Sequence, residues 1–101
     1  MSTQDNIAVE EKIKIDVPTP KLWKVVFLND DHTPMELVIE ILQTIFKHNL
    51  KDAQTITMTI HNEGSGIAGI YTHEIAETFA LEATNMARRF GSPLKIQIEQ
   101  E

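Results

Sequence analysis

The chain has 101 residues, 42% of them hydrophobic and 24% charged, a net charge of −6 and no cysteine. That length suits one domain around one core, and the missing cysteine excludes disulfides, thiolate metal sites and a cysteine nucleophile. The acidic balance, with Arg88-Arg89 as the only adjacent basic pair, repels phosphate backbones and makes nucleic acid a poor partner.

No apolar run approaches the roughly 20 residues that a membrane helix needs. Met1 to Glu11 carries Gln4, Asp5, Asn6, Glu10 and Glu11, which fits neither a signal peptide nor an Arg-rich transit peptide. The expectation is a cytoplasmic protein without a membrane partner. Residues 1–21 read as a flexible N-terminal tail, polar and acidic, closing on Pro18 and Pro20, which oppose helix and central strand. Within it Ile13, Ile15 and Val17 alternate with Lys12, Lys14 and Asp16, so an edge strand stays open there. The core domain is then residues 22–101.

Leu22 to Leu28 is β-branched and aromatic and predicts a strand, ended by the polar turn Asn29-Asp30-Asp31-His32. Thr33, Pro34 and Glu36 predict a capping box with proline at the first helical position. The stripe Val38, Ile41, Leu42, Ile45 and Phe46 carries this helix to about Lys47. Asn49 caps a second helix whose inner face is Leu50, Ala53, Ile56, Thr57 and Ile60, stopped at Gly64, with Ser65 and Gly66 continuing the turn. Ile67 to Tyr71 is a short strand. Thr72 caps a third helix with Ile75, Phe79, Ala83, Met86 and Phe90 on one face, and Gly91 ends it. After the Ser92-Pro93 turn, Leu94 to Ile98 alternates as a last strand. The order β-α-α-β-α-β places three helices on one face of a small antiparallel three-stranded sheet, an α+β fold.

Little of this looks catalytic. His73-Glu74-Ile75-Ala76-Glu77 fails the zinc-protease signature, because position 77 is Glu where a second His is needed. Asp30 and Asp31 lack an obvious third metal ligand, and His61 sits near a helix end as capping histidines do. There is no nucleophile elbow and no phosphate-cradling glycine loop. The reading is a protein without enzymatic activity or cofactor.

The block Asn29-Asp30-Asp31-His32-Thr33-Pro34-Met35-Glu36, following an apolar strand, resembles the ClpS adaptor family. The likeness continues in Ile60-His61 with Gly64, in Gly69-Ile70-Tyr71-Thr72 with Glu74-Ile75-Ala76-Glu77-Thr78, and in Pro93-Leu94. It covers about Trp23 to Ile98. The fold it implies is that of ClpS, which resembles the C-terminal domain of the ribosomal stalk protein. The function it implies is capture of proteins with N-terminal Leu, Phe, Tyr or Trp. Delivery then follows to a Clp-family AAA+ unfoldase, of ClpA or ClpC type, that works with ClpP. Carried over by the resemblance, Asn29, Asp30 and His61 hold the α-amino group. Asp31, Thr33, Met35, Val38, Thr57, Ile60 and Leu94 line the side-chain pocket, and Tyr71, Glu74 and Phe79 are candidate unfoldase contacts. The residue types suit this work, since an α-ammonium is a cation with three donors that needs fixed acceptors. The N-terminal tail would serve delivery and be dispensable for peptide binding.

Four places in the chain depart from the family pattern. Thr57 stands where Met is usual, which leaves room and a hydroxyl in the pocket and shifts preference toward Trp, Phe or Tyr, or relaxes it toward β-branched residues. His32 replaces an aromatic, Phe79 replaces a frequent Lys, and Ser65-Gly66 lacks a frequent basic residue. Two rival readings remain. One is an interaction module of the same fold without N-terminal recognition. The other is a hydrolase using Asp30, Asp31 and His61.

Overall fold

A computed structural model describes residues 18–101. The open edge strand around Ile13–Val17 and most of the expected tail lie outside the described residues. Pro18 to Lys21 lead exposed into β1, Leu22–Leu28. The following elements are α1 (Met35–Thr44), α2 (Leu50–Glu63), β2 (Ser65–Thr72), α3 (His73–Arg89) and β3 (Lys95–Gln100). The sheet is antiparallel with β1 in the centre, in the order β2-β1-β3. Element order and fold class are those expected from the residues.

Successive strand side chains point to opposite faces. Val25 and Phe27 therefore enter the helical layer and are fully buried, while Lys24 lies on the other face between Ile70 and Glu99. Ile41 and Leu42 of α1, Ala53 and Ile60 of α2, and Ala76, Ala83 and Ala87 of α3 close the core over them. A β-bulge lies opposite the Val25/Val26 step, where β2 spans Gly69 to Ile67. The extra residue, Ala68, is buried, and its carbonyl meets His48 Nε2 at 2.6 Å. A carbonyl only accepts, so Nε2 donates in this contact.

Several local expectations are corrected. Thr33 does not cap α1. The cap position is Pro34, whose carbonyl takes the N–H groups of Leu37 and Val38, with no side-chain cap bond. Thr33 turns its hydroxyl to Asp30 instead. Helix α1 ends at Thr44, short of Lys47, which sits at φ 62°. Leu50, expected on the inner face of α2, is 52% exposed, and the buried face there is Ala53, Thr57 and Ile60. Ser65 and Gly66 belong to β2 and not to a turn. A Cβ on Gly66 would sit 2.7 Å from Ile60 Cγ1, so glycine is what lets β2 start this close to α2. Along α3 the seam runs through Ala76, Ala83, Met86 and Ala87, because small side chains let the helix approach the sheet. Ile75 lies one step round that seam at 47% exposure, and Phe90 leaves the helical conformation and is 66% exposed. Thr72 occupies the α3 cap position without a side-chain bond, and β3 begins at Lys95, one residue later than expected.

Two caps are as read from the residues. Asn49 accepts the Asp52 N–H at 2.8 Å, and Gly64 ends α2 at φ 93° with its N–H on the Ile60 carbonyl. Phe46, Phe79 and Tyr71 form an aromatic cluster on the far side of the core. Its ring centroids are 4.9 Å apart for Tyr71–Phe79 and 5.6 Å for Phe46–Phe79.

Candidate functional site

A cavity of about 260 Å³ opens where the end of β1, the start of α1, the last turns of α2 and the entry to β3 converge. Every residue carried over as amino-group binding or pocket lining borders it. Asn29, Asp31 and His61 are exposed at the rim, and Asp30 and Thr33 are half-buried. Val38, Thr57, Ile60 and Leu94 are buried and form the apolar floor, with Met35 at its edge. A polar rim over a small apolar floor suits one side chain attached to a polar backbone terminus.

Backbone geometry brings the rim together. The Asn29 N–H donates to the Gly64 carbonyl at 2.9 Å. That bond ties the turn after β1 to the end of α2, where His61 lies one turn back. Below it, the second turn residue is clamped. Asp30 Oδ1 accepts the His32 N–H at 2.7 Å, and Oδ2 accepts the Thr33 hydroxyl at 2.7 Å. Partial burial pushes the Asp30 carboxyl up. The Thr33 hydroxyl, the His32 and Thr33 amides and the nearby His32 ring outweigh it together and hold the group below its ordinary value. Asp30 is thus an anion at neutral pH.

Thr57 was expected to offer the pocket a hydroxyl. Its Oγ1 donates to the Ala53 carbonyl at 2.7 Å within the helix, so no free donor is left for a ligand. Thr55 and Thr59 make the same backward bond on the outer face of α2.

The family of ATP-dependent Clp protease adaptor protein ClpS matches residues 18–97 of this sequence. The chain belongs to the ClpS family. ClpS proteins are non-catalytic adaptors of the Clp protease. The ATP-dependent Clp protease adapter protein ClpS of Deinococcus radiodurans is 39% identical over 88 residues, covering 87% of this chain and 78% of the relative. In three dimensions the chain is similar to Agrobacterium tumefaciens ClpS2 bound to L-phenylalaninamide. The TM-score is 0.79 and the identity 40%, over 82% of this chain and all of that one.

The residues carried over as unfoldase contacts on this ClpS chain are apart from the cavity. Glu74 is exposed in the first turn of α3. Tyr71 and Phe79 are half-buried against each other and against Phe46, and burial pushes the Tyr71 phenol up. Phe79 is therefore a core-edge residue, as its helical spacing indicated. Nearby, His73 packs on the edge of Trp23 and lies 3.6 Å from Glu77, as expected for a polar helix start. Among the described residues no helix is long and apolar enough to cross a membrane, and no three His, Asp or Glu gather as a metal site.

Two residues, one lining the cavity and one bonded behind it, escaped the sequence reading. Leu28 lines the cavity although strand alternation places it on the face away from the core, because the chain turns at that point. Ser92 is buried and bonded to Thr33 Oγ1 at 2.6 Å, across 59 residues of sequence, with no local signal to show it.

Proposed function

We propose that this protein binds the free α-amino group and bulky hydrophobic first residue of substrate proteins. It delivers them, in the cytoplasm, to an AAA+ unfoldase of the ClpA or ClpC type for degradation by ClpP. The observation that carries this reading is one cavity with carboxylate, amide and imidazole acceptors at its rim and a buried apolar floor. Asn29, Asp30 and His61 receive the ammonium group. Asp31, Thr33, Met35, Val38, Thr57, Ile60 and Leu94 enclose the side chain.

The ligand of the Agrobacterium relative supports the same chemistry here. L-Phenylalaninamide has a free α-amino group, a benzyl side chain and a neutral carboxamide where a longer chain would continue. Hydrogen bonds to a charged group contribute roughly 1.5–3 kcal/mol each, and burial of a large apolar side chain contributes roughly 1.5–3 kcal/mol. After the cost of association, affinity on the order of micromolar follows, which suits a protein that must release its cargo. N-acetylation removes the cation and leaves the rim acceptors unpaired, so discrimination against it is strong.

Fluorescent peptides that differ only in residue one (Leu, Phe, Tyr, Trp, Ile, Val, Ala), with an N-acetylated control, test the reading. Bulky free-amine peptides should bind, and acetylation or Asp30→Ala should weaken binding by roughly 10-fold to 100-fold, as loss of one charged hydrogen bond requires. Equal binding of free and acetylated peptides would leave the fold to a different interaction. Tyr71, Glu74 and Phe79 form the proposed unfoldase face. Glu74→Arg should keep peptide affinity while slowing degradation of a Phe-initiated reporter by a reconstituted ClpAP or ClpCP system.

A further inference from the structure

Ser92 closes a hydrogen-bond chain whose direction is set by its ends. The Ser92 Oγ accepts the Leu94 N–H at 3.1 Å. At the other end, the ionised Asp30 carboxylate can only accept, so the Thr33 hydroxyl uses its single proton on Asp30 Oδ2 at 2.7 Å. Thr33 Oγ1 and Ser92 Oγ are 2.6 Å apart, and either could donate if this pair stood alone. With Thr33's proton committed to Asp30, Ser92 must donate to Thr33. The chain therefore runs one way, from the Leu94 N–H through Ser92 and Thr33 to Asp30. Each bond along such a chain polarises the next and strengthens it.

Ser92 is itself fixed from other sides. Its N–H donates to the Ala87 carbonyl at 2.9 Å, and its carbonyl and that of Leu94 both accept from Arg88 Nη1 at 2.8 Å. The hydroxyl is thus held by the end of α3 and the entry to β3, while Asp30 stands on an exposed turn after β1. Ser92 is 3% exposed and does not line the cavity, so it acts without touching a ligand. Without its donor, the Thr33 oxygen is held by Asp30 alone, and the Asp30 carboxylate loses its tie to the far side of the pocket.

We infer that Ser92 is a positioning residue for N-terminus capture, setting the Asp30 carboxylate through Thr33 and so tuning selectivity for a free α-amino group. This rests on the function proposed above. A buried hydroxyl that only filled space would affect stability and not this selectivity.

The test is a titration of a Phe-initiated peptide and its N-acetylated twin with wild type, Ser92→Ala, Asp30→Asn and the double variant, each with its melting temperature. Ser92→Cys fills the same space with a weaker donor and replaces the alanine variant if that one is unstable. The expected result for Ser92→Ala is a loss of roughly threefold to tenfold for the free-amine peptide, the size of one neutral hydrogen bond. The acetylated peptide should be unchanged, and the loss should vanish when Asp30 is already Asn. A folded Ser92 variant within twofold of wild type overturns the inference alone, as does an equal loss in the Asp30→Asn background. If wild type does not distinguish the two peptides, the capture function falls and the role of Ser92 falls with it.

Discussion

The Asn29 N–H and the Gly64 carbonyl, 2.9 Å apart, hold the turn after β1 against the end of α2. This bond ties a helix terminator to the rim of the cavity, because the left-handed Gly64 at φ 93° is what brings its carbonyl round to Asn29. The position is open, with no atom within 4 Å of a Cβ placed there, so an added side chain meets backbone strain alone.

Gly64→Ala should therefore cost about 1 kcal/mol, lowering the melting temperature by about 4–8 °C for a domain of this size. Peptide affinity should fall in the same variant, since the Asn29 turn moves with the carbonyl. Thermal denaturation followed by circular dichroism, beside a peptide titration, checks both.

Thr57→Met places a longer side chain on the pocket floor and removes the hydroxyl bonded to Ala53. Trp-initiated and Tyr-initiated peptides should lose more affinity than a Leu-initiated one, because extra volume in a packed site displaces the largest ligand first. An unchanged ranking across the series would show that the neighbours repack and that Thr57 does not set preference.

The lowered Asp30 value has a definite sign. A carboxyl held below its unfolded value, near 3.8, stabilises the folded state above that pH. This contribution is lost as pH falls through the lower folded value. Acid titrations of wild type and Asp30→Asn, followed by near-ultraviolet circular dichroism, should differ most above about pH 3.8, draw together as pH falls below it, and meet only under the lower folded value.

Phe79→Ala opens the aromatic cluster with Phe46 and Tyr71. For a half-buried ring the cost is on the order of 2 kcal/mol, below the 3–5 kcal/mol of a fully buried one, so melting should fall by on the order of 10 °C. Phe79 does not border the cavity, and peptide affinity measured well below the melting temperature should stay at the wild-type level.

Removal of residues 1–21 should leave peptide binding intact and slow the unfoldase-driven degradation of a reporter. A truncated protein that delivers as fast as the full chain would separate delivery from this segment.

Periodicity located the helices and strands because Val25, Phe27, Ile41 and Ile60 bury themselves through local alternation and helical spacing. It misplaced Leu50, Ile75 and Phe90, since a helix shorter or rotated relative to the apolar stripe moves a large residue to the surface. The α3 seam chose alanines for closeness to the sheet, a tertiary demand that hydrophobicity alone does not reveal. The capping box at Thr33 failed for a similar reason. Its hydroxyl found a stronger acceptor in Asp30 and a donor in Ser92, far along the chain. The cavity residues were legible through the Asn29–Glu36 block and its outposts, whereas Leu28 enters the cavity through chain direction and Ser92 supports it through a long-range bond to Thr33.

The cavity draws its walls from residues 28–38, 57–61 and 94, stretches held together by β1, α2 and the sheet. No single stretch of the chain carries the whole site. Occupancy must then resist unfolding of the whole domain, by about 2.7 kcal/mol at a hundredfold excess of ligand over Kd. The converse is mechanical: the Glu101 N–H donates to the Leu22 carbonyl at 2.9 Å, so the start of β1 and the residue after β3 meet at one end of the sheet. Peeling either β1 or β3 away takes Asn29 or Leu94 out of the cavity wall, so the cavity lasts only as long as the sheet does.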